Sequence, residues 1–114
     1  MPERELQRSI RKTIADCGFY SVHVPNGAHL AGDPERAARQ MNALKRDGLM
    51  PGFPDLIVYG RAARIGHMEV KTAKGKLQDT QIAVQAWLEA MGHHFALVRS
   101  VDDTLAALRL WGWL

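Results

Sequence analysis

Apolar residues recur at three- and four-residue spacing near the start of the chain, at Leu6, Ile10, Ile14 and Cys17. This predicts an amphipathic helix ending at Gly18. From Phe19 to Val24 the pattern alternates, with Tyr20, Val22 and Val24 on one side, which predicts a strand. Pro25 to Gly32 is rich in turn formers and reads as a loop. Asp33-Pro34 then reads as an N-cap followed by proline at the first helical position. The helix it opens carries Ala37, Ala38, Met41 and Leu44 and stops at Gly48. A Pro/Gly loop, Leu49 to Phe53, leads to two apolar segments, Leu56-Ile57-Val58-Tyr59 and Ile65 to Val70. The polar link Gly60-Arg61-Ala62-Ala63-Arg64 joins them as a pair of strands. A short basic loop, Thr72 to Lys76, precedes a helix from about Asp79 to Met91 that is apolar over most of its surface, with Trp87 expected in the core and Gly92 as its stop. Phe95 to Val98 reads as a short strand, and Ser100 caps a final short helix holding Leu105, Leu108 and Leu110. The order helix, strand, inserted helix, strand, strand, helix, strand, helix predicts an α/β fold.

The hairpin carries the candidate chemistry. If Tyr59 pairs with Ile65, Asp55 falls opposite Glu69, with Lys71 two residues on and on the same face. Directly opposed carboxylates repel, so a pair placed this way points to a cation held between them. Hard divalent ions such as Mg²⁺ take oxygen ligands and keep several waters. A metal-bound water beside a lysine is suited to cutting a phosphodiester. Read in isolation, Asp55 is a turn residue after Pro54, and Glu69 and Lys71 are exposed strand residues. His67 shares the Asp55 face, as a packed strand residue or as support for the site. His93-His94 is a poor zinc signal, since neighbours along a strand point to opposite faces and no second Cys/His pair matches them.

Length and composition fit this picture without demanding it. The chain has 114 residues, 46% of them hydrophobic, enough for one domain spanning 1–114 with a real core. A net charge of +3 permits a nucleic-acid partner. The lone Cys17 allows no intramolecular disulfide and fits a reducing, cytoplasmic setting. The charged start has no apolar signal segment, and no apolar run approaches a membrane span, so no membrane association is expected.

Taken together, the motifs resemble the VRR-NUC (virus-type replication-repair nuclease) family of the PD-(D/E)xK nuclease superfamily. Gly52-Phe53-Pro54-Asp55-Leu56 looks like that family's glycine-x-proline-aspartate-leucine entry to a strand, and Glu69-Val70-Lys71 like its E-x-K. Leu77-Gln78-Asp79-Thr80-Gln81 looks like the helix start that carries its glutamine. Glu3-Arg4-Glu5-Leu6-Gln7 resembles its first-helix motif and Pro25-Asn26-Gly27 its asparagine-containing loop. The likeness runs from about Glu3 to Val98, and Gln78-Asp79 departs from the Ser-Pro of many relatives.

The resemblance implies a restriction-endonuclease-like αβββαβ core: a central mixed four-stranded sheet flanked by helices, here with an inserted helix and a short C-terminal helix. It implies a DNA endonuclease in which Asp55, Glu69 and the Val70 carbonyl coordinate Mg²⁺ or Mn²⁺. Lys71 orients the attacking water or stabilises the transition state. Gln81 holds lysine or water in place, or is an ordinary first-turn residue. Glu3 binds a second metal, or only stabilises its helix N-terminus. Lys74 and Lys76 on the basic loop, Asn26, and Lys45 on the basic inserted helix are candidate DNA contacts, with plain solvation the alternative for the lysines. Short stand-alone members look like phage-type, Holliday-junction-resolvase-like homodimers, working in a bacterial or phage-infected cell. Trp111, Trp113 and Leu114 are candidates for that contact, or for packing on the sheet. A less selective flap, end or single-strand nuclease and a non-catalytic DNA-binding module are the alternatives.

Overall fold

A computed structural model of the chain describes residues 2–25 and 32–114. Its elements are α1 (Glu3–Asp16), β1 (Tyr20–His23), α2 (Pro34–Arg46), β2 (Leu56–Tyr59), β3 (Ile65–Val70), α3 (Asp79–Ala90), β4 (His94–Val98) and α4 (Val101–Leu110). The four strands form one sheet in the order β1-β2-β3-β4. β1, β2 and β3 are antiparallel neighbours, and β4 runs parallel to β3 after the α3 crossover. The sheet is therefore mixed and four-stranded, flanked by helices. Without α2 and α4 the order is the expected αβββαβ. Among the described residues no helix is long and apolar enough to cross a membrane.

The two faces of the sheet differ. Leu56, Val58, Met68, Val70 and Val98 point to one face and pack with Leu6, Ile10 and Ile14 of α1 and Ala107 and Leu108 of α4 into the main core. The three-and-four spacing of the α1 residues puts them on one stripe, which is why that helix lies flat on the strands. Arg11 ties α1 to β1 by donating to Ser21 Oγ at 3.2 Å and to the Ser21 carbonyl at 3.3 Å. α3 lies over the opposite face, the one carrying Asp55 and Glu69, and buries Val84 and Leu88 there.

One feature, the exposure of Trp87, departs from what the sequence pattern predicts, and two others add what it does not supply. The apolar side of β1 does not face the main core. Ser21 does, and Tyr20 is 75% exposed, because Tyr20 and Val22 pair with Tyr59 and Ile57 on the Asp55 face. Trp87 is not a core residue: the buried row of α3 is Val84 and Leu88, one turn apart. Trp87 falls one position off that row, with 47% of its area exposed. Trp113 is 7% exposed and packs edge-on against Phe19 and Trp111, and Trp111 stacks on His94. Of the two roles open to the tail, packing on the sheet is the one Trp111 and Trp113 display within the chain. Leu114 stays exposed.

Helix α2 starts as predicted, with Asp33 Oδ1 accepting the Arg36 N–H at 2.8 Å and Pro34 at the first helical position. It buries none of its residues.

Candidate active site

Asp55 and Glu69 reach the site through the hairpin. The β2–β3 register pairs Tyr59 with Ile65 and Leu56 with Met68, so one step further Asp55 stands opposite Glu69. The hairpin closes with a Gly60 N–H to Arg64 carbonyl bond of 3.0 Å, around Ala62 and Ala63 at φ 59° and 60°. Two positive φ values in succession make the type I′ geometry that suits the twist of a tight hairpin.

Gly52 explains the glycine of the entry motif. It has φ +83°, and a Cβ there would lie 2.6 Å from the Thr80 carbonyl carbon and oxygen. Only glycine lets the loop before Asp55 lie directly on the first turn of α3, which brings Gln81 to the carboxylates.

Beyond Leu56 and Met68 the β2–β3 ladder stops at a proline. The Asp55 carbonyl accepts the Val24 N–H at 2.8 Å, so the backbone of Asp55 faces β1 and that of Pro54 faces β3. Val70 would be the next partner of Pro54, and proline has no N–H to give. The Val70 N–H goes instead to Asp55 Oδ2 at 2.9 Å. The carbonyl of Val70, on the same side of its strand, therefore lies beside Asp55 without a ladder donor.

Glu69 is 4% exposed. Its Oε1 accepts from Gln81 Nε2 at 3.3 Å and lies 4.0 Å from Lys71 Nζ. Burial, and after it the Asp55 carboxylate alongside, raises the Glu69 pKa from 4.5 to about 8; Lys71 opposes the shift. A carboxylate that a protein destabilises this strongly is one that gains most from a cation. Gln81 also accepts the Gln78 N–H through Oε1 at 2.8 Å, so helix capping and orientation of Glu69 use the two ends of one amide.

These residues line one cleft of about 290 Å³, together with Glu3, Gly52, Phe53, Gln78 and Thr80. The structure thus brings together Asp55, Glu69, Lys71, Gln81 and Glu3. Gln81 contacts Glu69 rather than the lysine. Glu3 stands exposed at the edge of the cleft. Among the described residues no three or more His, Cys, Asp or Glu side chains gather into a cage. Val70 is buried and does not line the cleft, so the donor set exposed there is two carboxylates with an open side. It fits an octahedral ion that keeps much of its water, and does not fit a closed zinc site.

Of the proposed DNA contacts, Lys74 and Lys76 are exposed on the loop that follows Lys71. Lys45 is exposed on α2 and does not line the cleft. Asn26 lies outside the described residues. His67 is buried behind the cleft, with Nε2 3.0 Å from His93 Nδ1 and its ring against Phe53, and burial lowers its pKa from 6.5 to about 4. It is a packed histidine, and His93 and His94 do point to opposite faces, towards His67 and Trp111. Arg99 escapes the sequence reading altogether: its guanidinium reaches the carbonyl of Thr72, next to Lys71, from the far end of β4. Nothing in the local pattern around Arg99 signals this contact, which depends on the parallel β3–β4 pairing.

The family model of the VRR-NUC domain matches residues 1–102. No curated protein matches the chain. One solved structure, described as a VRR_NUC domain protein, superimposes with a TM-score of 0.71 at 18% sequence identity, over 97% of this chain and 88% of that one. Another, described as a VRR_NUC domain, does so with a TM-score of 0.65 at 16% identity, over 94% of each chain. At such identities the likeness is one of fold.

Proposed function

Since the chain belongs to the VRR-NUC domain family, a family of nuclease-type domains, we propose that it is a divalent-metal-dependent DNA endonuclease. One observation carries the reading: two opposed carboxylates, one of them buried with its pKa raised, share a cleft with a lysine 4.0 Å away. Asp55, Glu69 and the Val70 carbonyl would hold Mg²⁺ or Mn²⁺. When bound, the ion supplies water activation and neutralises charge on the phosphate.

The protein's own groups do the rest. Glu69 is held in place by Gln81, and Asp55 by the Val70 N–H. Lys71 donates to the attacking water or to the phosphate oxygens, where charge builds in the transition state. Glu3, at the cleft edge, is a candidate second-metal ligand acting through water. Lys74 and Lys76 on the adjoining loop contact phosphates, with Asn26 and Lys45 as outer contacts to the same DNA.

The finer reading is a Holliday-junction-resolvase-like homodimer acting on branched DNA in the cytoplasm. A two-fold pair matches the symmetry of a four-way junction. Two exposed apolar residues one turn apart at the end of α3, Trp87 and Met91 just past its last residue, support a contact with a second copy. The test is a panel of labelled four-way, flap, single-stranded and linear duplex DNAs incubated with Mg²⁺, Mn²⁺ or a chelator. Paired cuts on the junction that need metal support the reading. Cutting only of flaps or ends replaces the resolvase part. Absence of metal-dependent cutting on every substrate replaces the enzyme with a DNA-binding module.

A further inference from the structure

The carbonyl of Thr72, one residue past Lys71, accepts two hydrogen bonds. One comes from the Gly75 N–H at 3.0 Å and closes a tight turn over 72–75. The other comes from Arg99 Nη1 at 2.7 Å. Arg99 is itself anchored. Its backbone N–H donates to Asp103 Oδ2 at 2.9 Å, and the Asp103 N–H donates to Ser100 Oγ at 3.0 Å in the cap of α4. Just before it, the Val98 carbonyl accepts the Lys71 N–H at 3.1 Å. A planar guanidinium fastened at its base delivers a directed donor rather than a diffuse charge.

The turn that Arg99 holds lies against the lysine. A Cβ placed on Gly75 would stand 3.1 Å from Lys71 Cδ and 3.2 Å from its Cβ, so the Gly75 backbone packs directly on the aliphatic stem. The Lys71 side chain is 17% exposed, although it sits just past a strand end. A free lysine stem carries roughly 2 kcal/mol of rotamer entropy. Walling it in removes that freedom before any substrate arrives.

We propose that Arg99 is a positioning residue for Lys71. By gripping the Thr72 carbonyl it fixes the 72–75 turn, and the turn confines the lysine stem so that its ammonium stays on the Glu69 side of the cleft. The consequence for cleavage rests on the nuclease reading; the confinement of Lys71 does not. The experiment therefore reads both. Full-length wild type, Arg99→Ala, Arg99→Lys and Arg99→Met are checked for folding, then treated briefly with an amine-acetylating reagent. Acetylation of Lys71 is measured by peptide mass spectrometry against the exposed Lys45 of the same molecule. In Arg99→Ala, Lys71 labelling should rise several-fold. Single-turnover cleavage at saturating DNA, where any loss of affinity is removed, should fall on the order of 10²-fold, the penalty of a catalytic group displaced by about 1 Å. Arg99→Lys, which keeps a donor in reach of the carbonyl, should recover most of the protection and rate. Lys71 labelling that is unmoved in folded Arg99→Ala overturns the proposal. If Arg99→Ala does not fold, Arg99→Met decides, because it keeps the aliphatic stem and removes the donor to the Thr72 carbonyl; wild-type labelling there overturns the proposal too. A wild type that cuts no DNA removes the nuclease reading, while the labelling still decides the role of Arg99.

Discussion

Glu69 is a carboxylate in a place that penalises its charge, and this has a sign that can be measured. Its folded pKa of about 8 lies above the ordinary 4.5. The folded state therefore holds the proton more tightly, and no penalty exists below pH 4.5. Between pH 4.5 and 8 the unfolded chain gives up this proton while the folded state keeps it, so stability is lost by about 1.4 kcal/mol for each pH step of one, and above pH 8 the loss is complete. His67 works in the other direction: with a folded pKa of about 4 against 6.5, its stability contribution is full above pH 6.5 and is lost as the pH falls towards 4. In chelator, melting temperature should therefore hold nearly level between pH 4.5 and 6.5, where the two opposite slopes cancel, fall from pH 6.5 to 8, and level off above. Glu69→Gln should flatten the alkaline decline, raise the melting temperature at pH 9 and abolish cleavage. Melting curves from pH 4 to 9 with and without Mg²⁺, alongside a cleavage assay, check all three, and Asp55→Asn should likewise remove cleavage while leaving the fold intact. At this scale the sequence was readable where parity decided. The five-residue link sets which side chains face one another, so Asp55 opposite Glu69 followed from counting. The destination of the Gln81 amide and the Arg99 guanidinium did not, since both depend on distances between elements that counting along the chain does not supply.

The elements carry two further expectations. The turn between β2 and β3 puts alanine at two successive positive φ values, which costs roughly 1–2 kcal/mol per residue against an unstrained turn. Replacing Ala62-Ala63 by Asn-Gly, the preferred pair for this turn type, should raise stability by about 1–2 kcal/mol without changing activity, and denaturant melts will read it. The loop after β3 should behave differently from the lysine that precedes it. Lys74→Ala with Lys76→Ala should weaken DNA binding and lower the slope of log affinity against log salt, because each lost phosphate contact releases fewer counterions. An unchanged slope across a salt titration would mean the loop does not touch DNA. The elements themselves were legible, from the α1 stripe to the α4 cap, because each combines a period with a terminator. What α3 does with its apolar surface was not. The apolar positions of that helix, from Ile82 to Ala90, are spread around its circumference, so periodicity gives it no preferred side, and Trp87 landed outside the core.

For the whole molecule, the same ambiguity becomes a prediction. Trp87 and Met91 lie exposed one turn apart at the end of a helix whose first turn holds Gln81, so a second copy docked there would fix the distance between two clefts. Burying such residues typically yields about 1.5–3 kcal/mol apiece. Trp87→Glu should then convert a micromolar dimer to monomer in sedimentation, with single cuts replacing paired ones on a junction. A wild type that sediments as a monomer even on junction DNA would remove the dimer and leave the endonuclease. The unequal burial of the indole rings has an optical consequence as well. Trp113, enclosed between Phe19 and Trp111, will emit at short wavelength and resist acrylamide, whereas Trp87 will emit to the red and be quenched readily. The protein thus carries its own reporter: any partner that settles on α3 shifts the red component and shields it from the quencher, while the blue component from beneath the sheet stays constant as an internal standard.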